Sequence, residues 1–361
     1  MAKQITILHD WLNQVGGAED VLQVLQSQYP NAPIYTSMYW RAEMPNYYQT
    51  WQIHTTWMDK LPGIYTKHRL YLPLYALAFS GLRLPESDVV LSNKSGFCIF
   101  TPKPQGARHI CYCLAPSRYV YDPLGYLQRE QKYQKFKNIL IAWAWLMRSL
   151  EARAAQKVDT FIAISKEIQQ RVRTYYRRES EIIYPPVDVA RFQPVDIEDV
   201  ADYYLVVSRL ISYKAIDLAV RACTELGLPL KVAGKGADLE RLKQLAGPTV
   251  QFLGYVPDEQ LPALMARCRA FLFPGFEDFG ITPVQALSAG RPVIAFAAGG
   301  ALDYVVPGET GVLFAEQSVA SLKNAIQAFS PESYSPAKLR QFAMRFDRQL
   351  FLDNIRQQVG F

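Results

Sequence analysis

One stretch in the C-terminal third limits the fold more than any other. It runs Ala270-Phe271-Leu272-Phe273-Pro274-Gly275-Phe276-Glu277-Asp278-Phe279-Gly280-Ile281-Thr282-Pro283-Val284-Gln285-Ala286-Leu287. The apolar run Ala270 to Phe273 reads as a buried strand. A Gly/Pro-rich loop carrying Glu277 follows, and then a helix is expected. Thr282, Pro283 and Gln285 read as a capping box with proline in the first turn, and Gly290 and Pro292 end the helix. Amides at a helix N-terminus, with Gly280 allowing close approach, suit an anionic ligand. Glu277 can accept hydrogen bonds from sugar hydroxyls. An ordinary strand–loop–helix turn of any α/β protein has the same outline, with Glu277 simply solvated.

The 361 residues favour two domains of roughly 150–200 residues over one. Met1-Ala2-Lys3-Gln4 leads straight into a short strand, with no signal peptide visible. The run Ile139 to Met147 is too short to cross a bilayer. The five cysteines are Cys98, Cys111, Cys113, Cys223 and Cys268; Cys111 and Cys113 alternate in a strand pattern and lack any metal-ligand spacing. All five are expected to be reduced and the protein cytoplasmic.

Charge is unevenly spread. Residues 1–184 hold 22 Lys/Arg and 14 Asp/Glu, a balance of +8; residues 185–361 hold 17 and 19, a balance of −2. The basic half is also rich in exposed-looking aromatics: Trp40, Tyr47, Tyr48, Trp51 and Trp57. Such a surface can meet anionic lipid headgroups or simply be solvated. No nucleic-acid-binding motif is present.

Taken in order, Ile5 to His9 is an apolar strand, followed by a loop ending in Gly16-Gly17 and a helix with Ala18, Val21, Leu22 and Leu25 on one face. This is a phosphate-binding outline in general, although a plain tight turn explains two glycines as well. It is neither the G-x-G-x-x-G fingerprint of dinucleotide-binding dehydrogenases nor a P-loop. Residues 31–85 are broken by prolines. Strands are expected at Asp88–Leu91 and His109–Cys113. A helical pattern covers Gln128 to Lys157, with Lys132, Lys135 and Lys137 at its start and an apolar stripe of Ile139, Leu140, Trp143 and Leu146. A core-packed helix explains it better than a membrane-surface one. Ser165 is expected to cap the next helix. Pro185-Pro186 stops regular structure and marks the interdomain linker. In the second half Arg209 and Lys214 stand five apart in a strand-to-helix loop, where two cations can neutralise a diphosphate.

These segments together resemble the retaining nucleotide-sugar glycosyltransferases of family 4. The match is dense from 156 to 315 and sparser before. It rests on Ser208-Arg209 with Lys214, on Glu277-Asp278-Phe279-Gly280, on Gly16-Gly17-Ala18-Glu19, on Pro186-Val187-Asp188 with Phe192, and on Gly308 with Gly311. The resemblance implies an α/β, GT-B fold: two Rossmann-like domains with parallel sheets facing across a cleft. It places an N-terminal acceptor-binding domain at 1–184, a linker at 185–200, a nucleotide-sugar-binding domain at 201–335 and a C-terminal helix at 336–361 crossing back to the first domain. Arg209 and Lys214 are expected to clamp the donor diphosphate and Glu277 to orient the sugar. Gly16, Gly17, Phe279, Gly280 and Ile281 would offer amides, and Gly254-Tyr255 would back the nucleobase. His9, Leu114, Arg118 and Tyr119 fall on the acceptor side.

Two positions depart from the family pattern. Gln285 stands where the second Glu of the Glu-x7-Glu signature is expected, and Leu114 stands where a histidine lies beside the transferred sugar. The implied activity is transfer of a hexose, with GDP-mannose favoured and a UDP-hexose next, to a glycan, lipid-linked or small-molecule acceptor. No cofactor and no metal are expected, the donor itself being a nucleotide diphosphate sugar. Peripheral contact with the inner membrane face is compatible with the basic first half. The alternative is a non-catalytic nucleotide-sugar-binding relative.

Overall fold

The computed structural model describes residues 3–123 and 137–360. The chain forms two compact units, Met1–Tyr184 with Phe351–Phe361, and Pro185–Leu350.

The first unit is built on a seven-stranded parallel sheet, in the order β3-β2-β1-β4-β5-β6-β7. The strands are β1 (Ile5–His9), β2 (Ile34–Thr36), β3 (Ile53–Thr55), β4 (Val89–Lys94), β5 (Arg108–Cys113), β6 (Thr160–Ala163) and β7 (Glu181–Ile182). The central strands β1 and β4 are buried along their whole length, so both faces are covered; β1 and the first half of β4 are largely apolar, whereas Ser92, Asn93 and Lys94 are polar side chains buried at the carboxyl end of β4. The register pairs Ile5 with Val89 and His9 with Asn93. Leu8, Met38, Tyr75, Phe79, Val90 and Phe97 form part of one core cluster.

The second unit holds a six-stranded parallel sheet, in the order β10-β9-β8-β11-β12-β13. Its strands are β8 (Tyr204–Val207), β9 (Leu230–Ala233), β10 (Val250–Gly254), β11 (Ala270–Phe273), β12 (Val293–Phe296) and β13 (Gly311–Phe314). The core gathers Val206, Leu272, Ile294 and Phe314 from the sheet with Val220 and Leu322 from flanking helices. Residues 185–200 are packed within this unit. Arg340 Nη1 donates to the carbonyls of Val189 and Ser288, at 3.0 and 3.1 Å, and to that of Phe192.

Several local expectations are corrected. The helix after β11 is Ile281–Ser288 with Gly280 as its N-cap, and no side chain caps it. Thr282 lies inside the first turn, where its hydroxyl has no cap to make. Tyr48 is fully buried, with its ring 4.1 Å from that of Trp51 between centroids and tilted at 45° to it. Tyr47 and Trp57 remain exposed. The long helix is described over Lys137–Ala155; Lys132 and Lys135 lie outside the described residues. Its core face is Ala144, Met147, Glu151, Ala154 and Ala155, whereas Ile139 and Leu146 of the apolar stripe are exposed. The C-terminal segment is not one helix: Pro336–Ala343 and Arg348–Val359 are separated by a turn, and only residues from Phe351 belong to the first unit.

Candidate active site

In the second sheet the chain lays β9 and β10 to one side of β8, then crosses to the other side with β11. Strand order therefore reverses between β8 and β11. The loops leaving their carboxyl ends diverge there, which is where doubly wound sheets hold ligands. Those two loops carry Arg209 with Lys214, and Glu277.

Backbone-to-backbone contact brings the loops together. A Cβ on Gly275 would stand 2.7 Å from the Lys214 carbonyl oxygen, so only glycine permits this approach. Lys214 Nζ donates to Glu277 Oε1, an ion pair of which both partners keep some exposure. Ala215, directly after Lys214, has φ +51°, a strained conformation for a residue with a Cβ. It turns the short Ser212–Lys214 helix into the helix Ile216–Leu226 and so aims Lys214 back at the neighbouring loop. The exposed Arg209 donates from Nη2 to the Tyr213 hydroxyl at 3.4 Å, and Lys214 Nζ sits 5.4 Å from the centre of the same ring. Tyr213 thus lies between the two cations. Sequence reasoning passed over it, because a tyrosine in a loop has no signature.

The far end of the Glu277 loop is fixed from inside the unit. Gly300 N–H donates to the Glu277 carbonyl at 2.9 Å, and the Tyr304 hydroxyl donates to the Phe279 carbonyl at 2.8 Å. Gly280 has φ +88°, and a Cβ there would meet the Phe273 ring at 2.6 Å. The next residues open a helix whose first amides have no intrahelical partner. The result is a cation pair, a carboxylate and a helix N-terminus around one crevice. Gln285 is half-buried one turn into that helix. Gly254 ends β10, two strands from β8, and Tyr255 follows it. Tyr255 is 63% exposed, with Lys235 Nζ 5.5 Å above its ring.

The first sheet reverses order between β1 and β4. Gly16 and Gly17 open the helix Gly17–Gln28, with Gly16 as an extended N-cap. His9 faces inward and is 1% exposed. Its Nε2 lies 3.3 Å from Glu19 Oε1, its Nδ1 lies 3.3 Å from Asn93 Nδ2, and Asn93 Nδ2 donates to the Ala18 carbonyl at 2.7 Å. His9 in this conformation braces the glycine loop. Leu114 is buried after β5, and Arg118 and Tyr119 are half-buried at the start of the short helix Arg118–Tyr121.

Behind these loops lies a group of buried charges that the sequence did not reveal. Asp10 accepts four backbone N–H bonds, from Ser95, Gly96, Phe97 and Cys98, at 2.5–2.8 Å. Lys94 and Glu151 are completely buried and 3.0 Å apart. Burial alone would lower the Lys94 ammonium, but Glu151, with Cys113 and Asp10, holds it above its ordinary value. One signal was available. Glu151 follows Met147 by four residues and Ala144 by seven, so it occupies the inward stripe of its helix.

Residues 190–345 match the family described as glycosyl transferases group 1. It is 26% identical over 333 residues to an alpha-1,3/1,6-mannosyltransferase of Mus musculus, covering 80% of this chain and 76% of that one. It is 28% identical over 218 residues to a GDP-mannose-dependent alpha-(1-6)-phosphatidylinositol monomannoside mannosyltransferase of Mycolicibacterium smegmatis, covering 52% and 57%. Its fold is that of Anabaena HepE, solved in complex with UDP-glucose, with a TM-score of 0.71 at 18% identity over 99% and 100% of the two chains. The two Rossmann-like parallel sheets are those of the GT-B glycosyltransferases. The domain match covers both loops of the second crevice, Arg209 to Lys214 and Pro274 to Gly280.

Proposed function

We propose that the protein transfers a hexose from a nucleotide diphosphate sugar with retention of anomeric configuration and without a metal ion. The observation that carries this reading is the Lys214–Glu277 pair at the strand-order reversal, beside the N-terminus of the helix Ile281–Ser288. A diphosphate brought to this crevice meets Arg209, Lys214 and unpaired amides, all donors. These are the groups that offset the charge growing on the leaving phosphate, which a divalent cation would otherwise do. Lys214 then exchanges the carboxylate for phosphate oxygen. Glu277 is released to accept from a sugar hydroxyl, which orients the donor. Gly254-Tyr255 backs the base. The acceptor hydroxyl attacks from the face that the phosphate leaves, and the phosphate takes its proton.

Mannose from GDP-mannose is the favoured donor, on the strength of the two mannosyltransferase relatives, with a UDP-hexose next. A glycan or lipid-linked acceptor suits the basic first half. Ile139, Leu146 and Leu150 lie along one exposed line of the helix Lys137–Ala155 and would rest on a membrane surface. Among the described residues no helix is long and apolar enough to cross a membrane. The test is nucleotide release from GDP-mannose and from UDP-glucose in excess chelator, with the product anomer read by NMR. The reading expects release in chelator and an α product from an α donor. A strict need for added divalent metal, or an inverted product, contradicts it.

A further inference from the structure

We propose that Glu151 is a positioning residue which presets the loop Leu114–Tyr119. This rests on the reading above, in which that loop serves the acceptor. Glu151 Oε1 is 3.0 Å from Lys94 Nζ and 2.8 Å from Ser117 Oγ, and it accepts from the Ser117 amide at 3.3 Å and the Tyr176 hydroxyl at 2.5 Å. Lys94 Nζ in turn donates to the Ala115 carbonyl at 3.1 Å, and the Leu114 amide donates to the Lys94 carbonyl at 2.7 Å. Ser117 Oγ also lies 2.7 Å from the Gly96 carbonyl, which joins this loop to the one that Asp10 holds. Ala115 and Ser117 are thus tied to one carboxylate and its ammonium partner, and Leu114 to the Lys94 main chain.

Folding alone gives no reason to keep these charges. A buried ion pair is commonly no more stable than apolar side chains of similar volume. The second oxygen of Glu151 is buried with no hydrogen-bond partner among the described residues, which adds cost. The arrangement does give the loop one conformation, just before Arg118 and Tyr119. A preset loop spares the ordering cost when the acceptor binds.

The experiment compares wild type with Glu151→Gln, Tyr176→Phe and the double variant Lys94→Met/Glu151→Leu. Hydrogen exchange of the full chain is read first. Glu151→Gln is expected to speed exchange of the Leu114–Tyr119 amides at least tenfold, Tyr176→Phe less so, with the second unit unchanged. An even rise across β1–β7, or none in the loop, overturns the proposal. The double variant leaves no unpaired buried charge and is expected to recover the melting midpoint. Its transfer rate should stay at least tenfold down, with nucleotide binding as in wild type. Recovery of transfer together with the midpoint means that the pair is only structural and overturns the proposal. If wild type itself neither binds nor turns over a nucleotide sugar, the functional reading fails, and the exchange data still decide whether Glu151 sets the loop.

Discussion

Both sheets reverse strand order once, and both reversals gather charged side chains, but the two sets are built differently. In the first unit Lys94 and Glu151 have no exposed surface, and Asp10 is wrapped by four amides. In the second unit Lys214 and Glu277 pair only with 17% and 14% of their side chains exposed, and Arg209 stands in solvent. Charges sealed from water cannot reach a substrate and so act on shape. Charges at the rim can exchange one partner for another.

The contrast predicts opposite outcomes for two similar truncations. Lys94→Met leaves Glu151 buried and unpaired, at a cost of about 3–5 kcal/mol of stability. Chemical denaturation reads it, and a loss below 1 kcal/mol would mean that water reaches the pair. Lys214→Met should cost stability little, since a partly exposed pair contributes about 0–1 kcal/mol. It should instead lower turnover roughly 100- to 1000-fold, the loss typical of removing one donor to a developing charge. A variant that unfolds but turns over normally when folded would reverse the assignment.

Acid should separate the units as well. All four histidines lie in the first unit. Burial, with Asp159 opposing and Lys103 assisting, lowers the pKa of His109 to about 4, and His68 is lowered to about 4 by burial and Arg69. Between about pH 6.5 and 4 the unfolded chain therefore binds protons that the folded chain refuses, and stability falls as pH drops. For His109 the loss from pH 7 to pH 5 is roughly 2 kcal/mol. His109→Gln should flatten the stability profile over that range, and an unchanged profile would contradict the account. The smallest effect concerns Gln285. An amide offers one acceptor where a carboxylate offers two, so Gln285→Glu should tighten nucleotide-sugar binding by about 1–2 kcal/mol, read by titration calorimetry.

The parts of this contrast were unequally legible in the sequence. The strands β1, β8 and β11 were plain because they are buried and read as largely apolar runs, whereas only the apolar first half of β4 was legible and its buried Ser92, Asn93 and Lys94 were not. The Arg209–Lys214 and Glu277–Gly280 loops could be named, because each is a continuous segment with its own residue types. Their meeting followed only from the family resemblance, since in the fold it depends on Gly275 lying against the Lys214 backbone. The buried charges were hidden for the same reason: Asp10, Lys94 and Glu151 come from three distant segments. The cap at Thr282 was misread by two residues, because the Thr-Pro-x-Gln pattern does not fix where the first turn starts, and the backbone at Gly280 decided where the helix begins.

The central claim is that the second crevice binds a nucleotide diphosphate through Lys214. The most direct test is the thermal midpoint of wild type and Lys214→Met with millimolar GDP, UDP or ADP, and with GDP-mannose and UDP-glucose, in chelator. A ligand that binds only the folded chain raises the midpoint with its occupancy. The account predicts a clear rise with GDP or UDP and their conjugates in wild type and its loss in Lys214→Met. No rise with any nucleotide in wild type, or an equal rise in the variant, would contradict it.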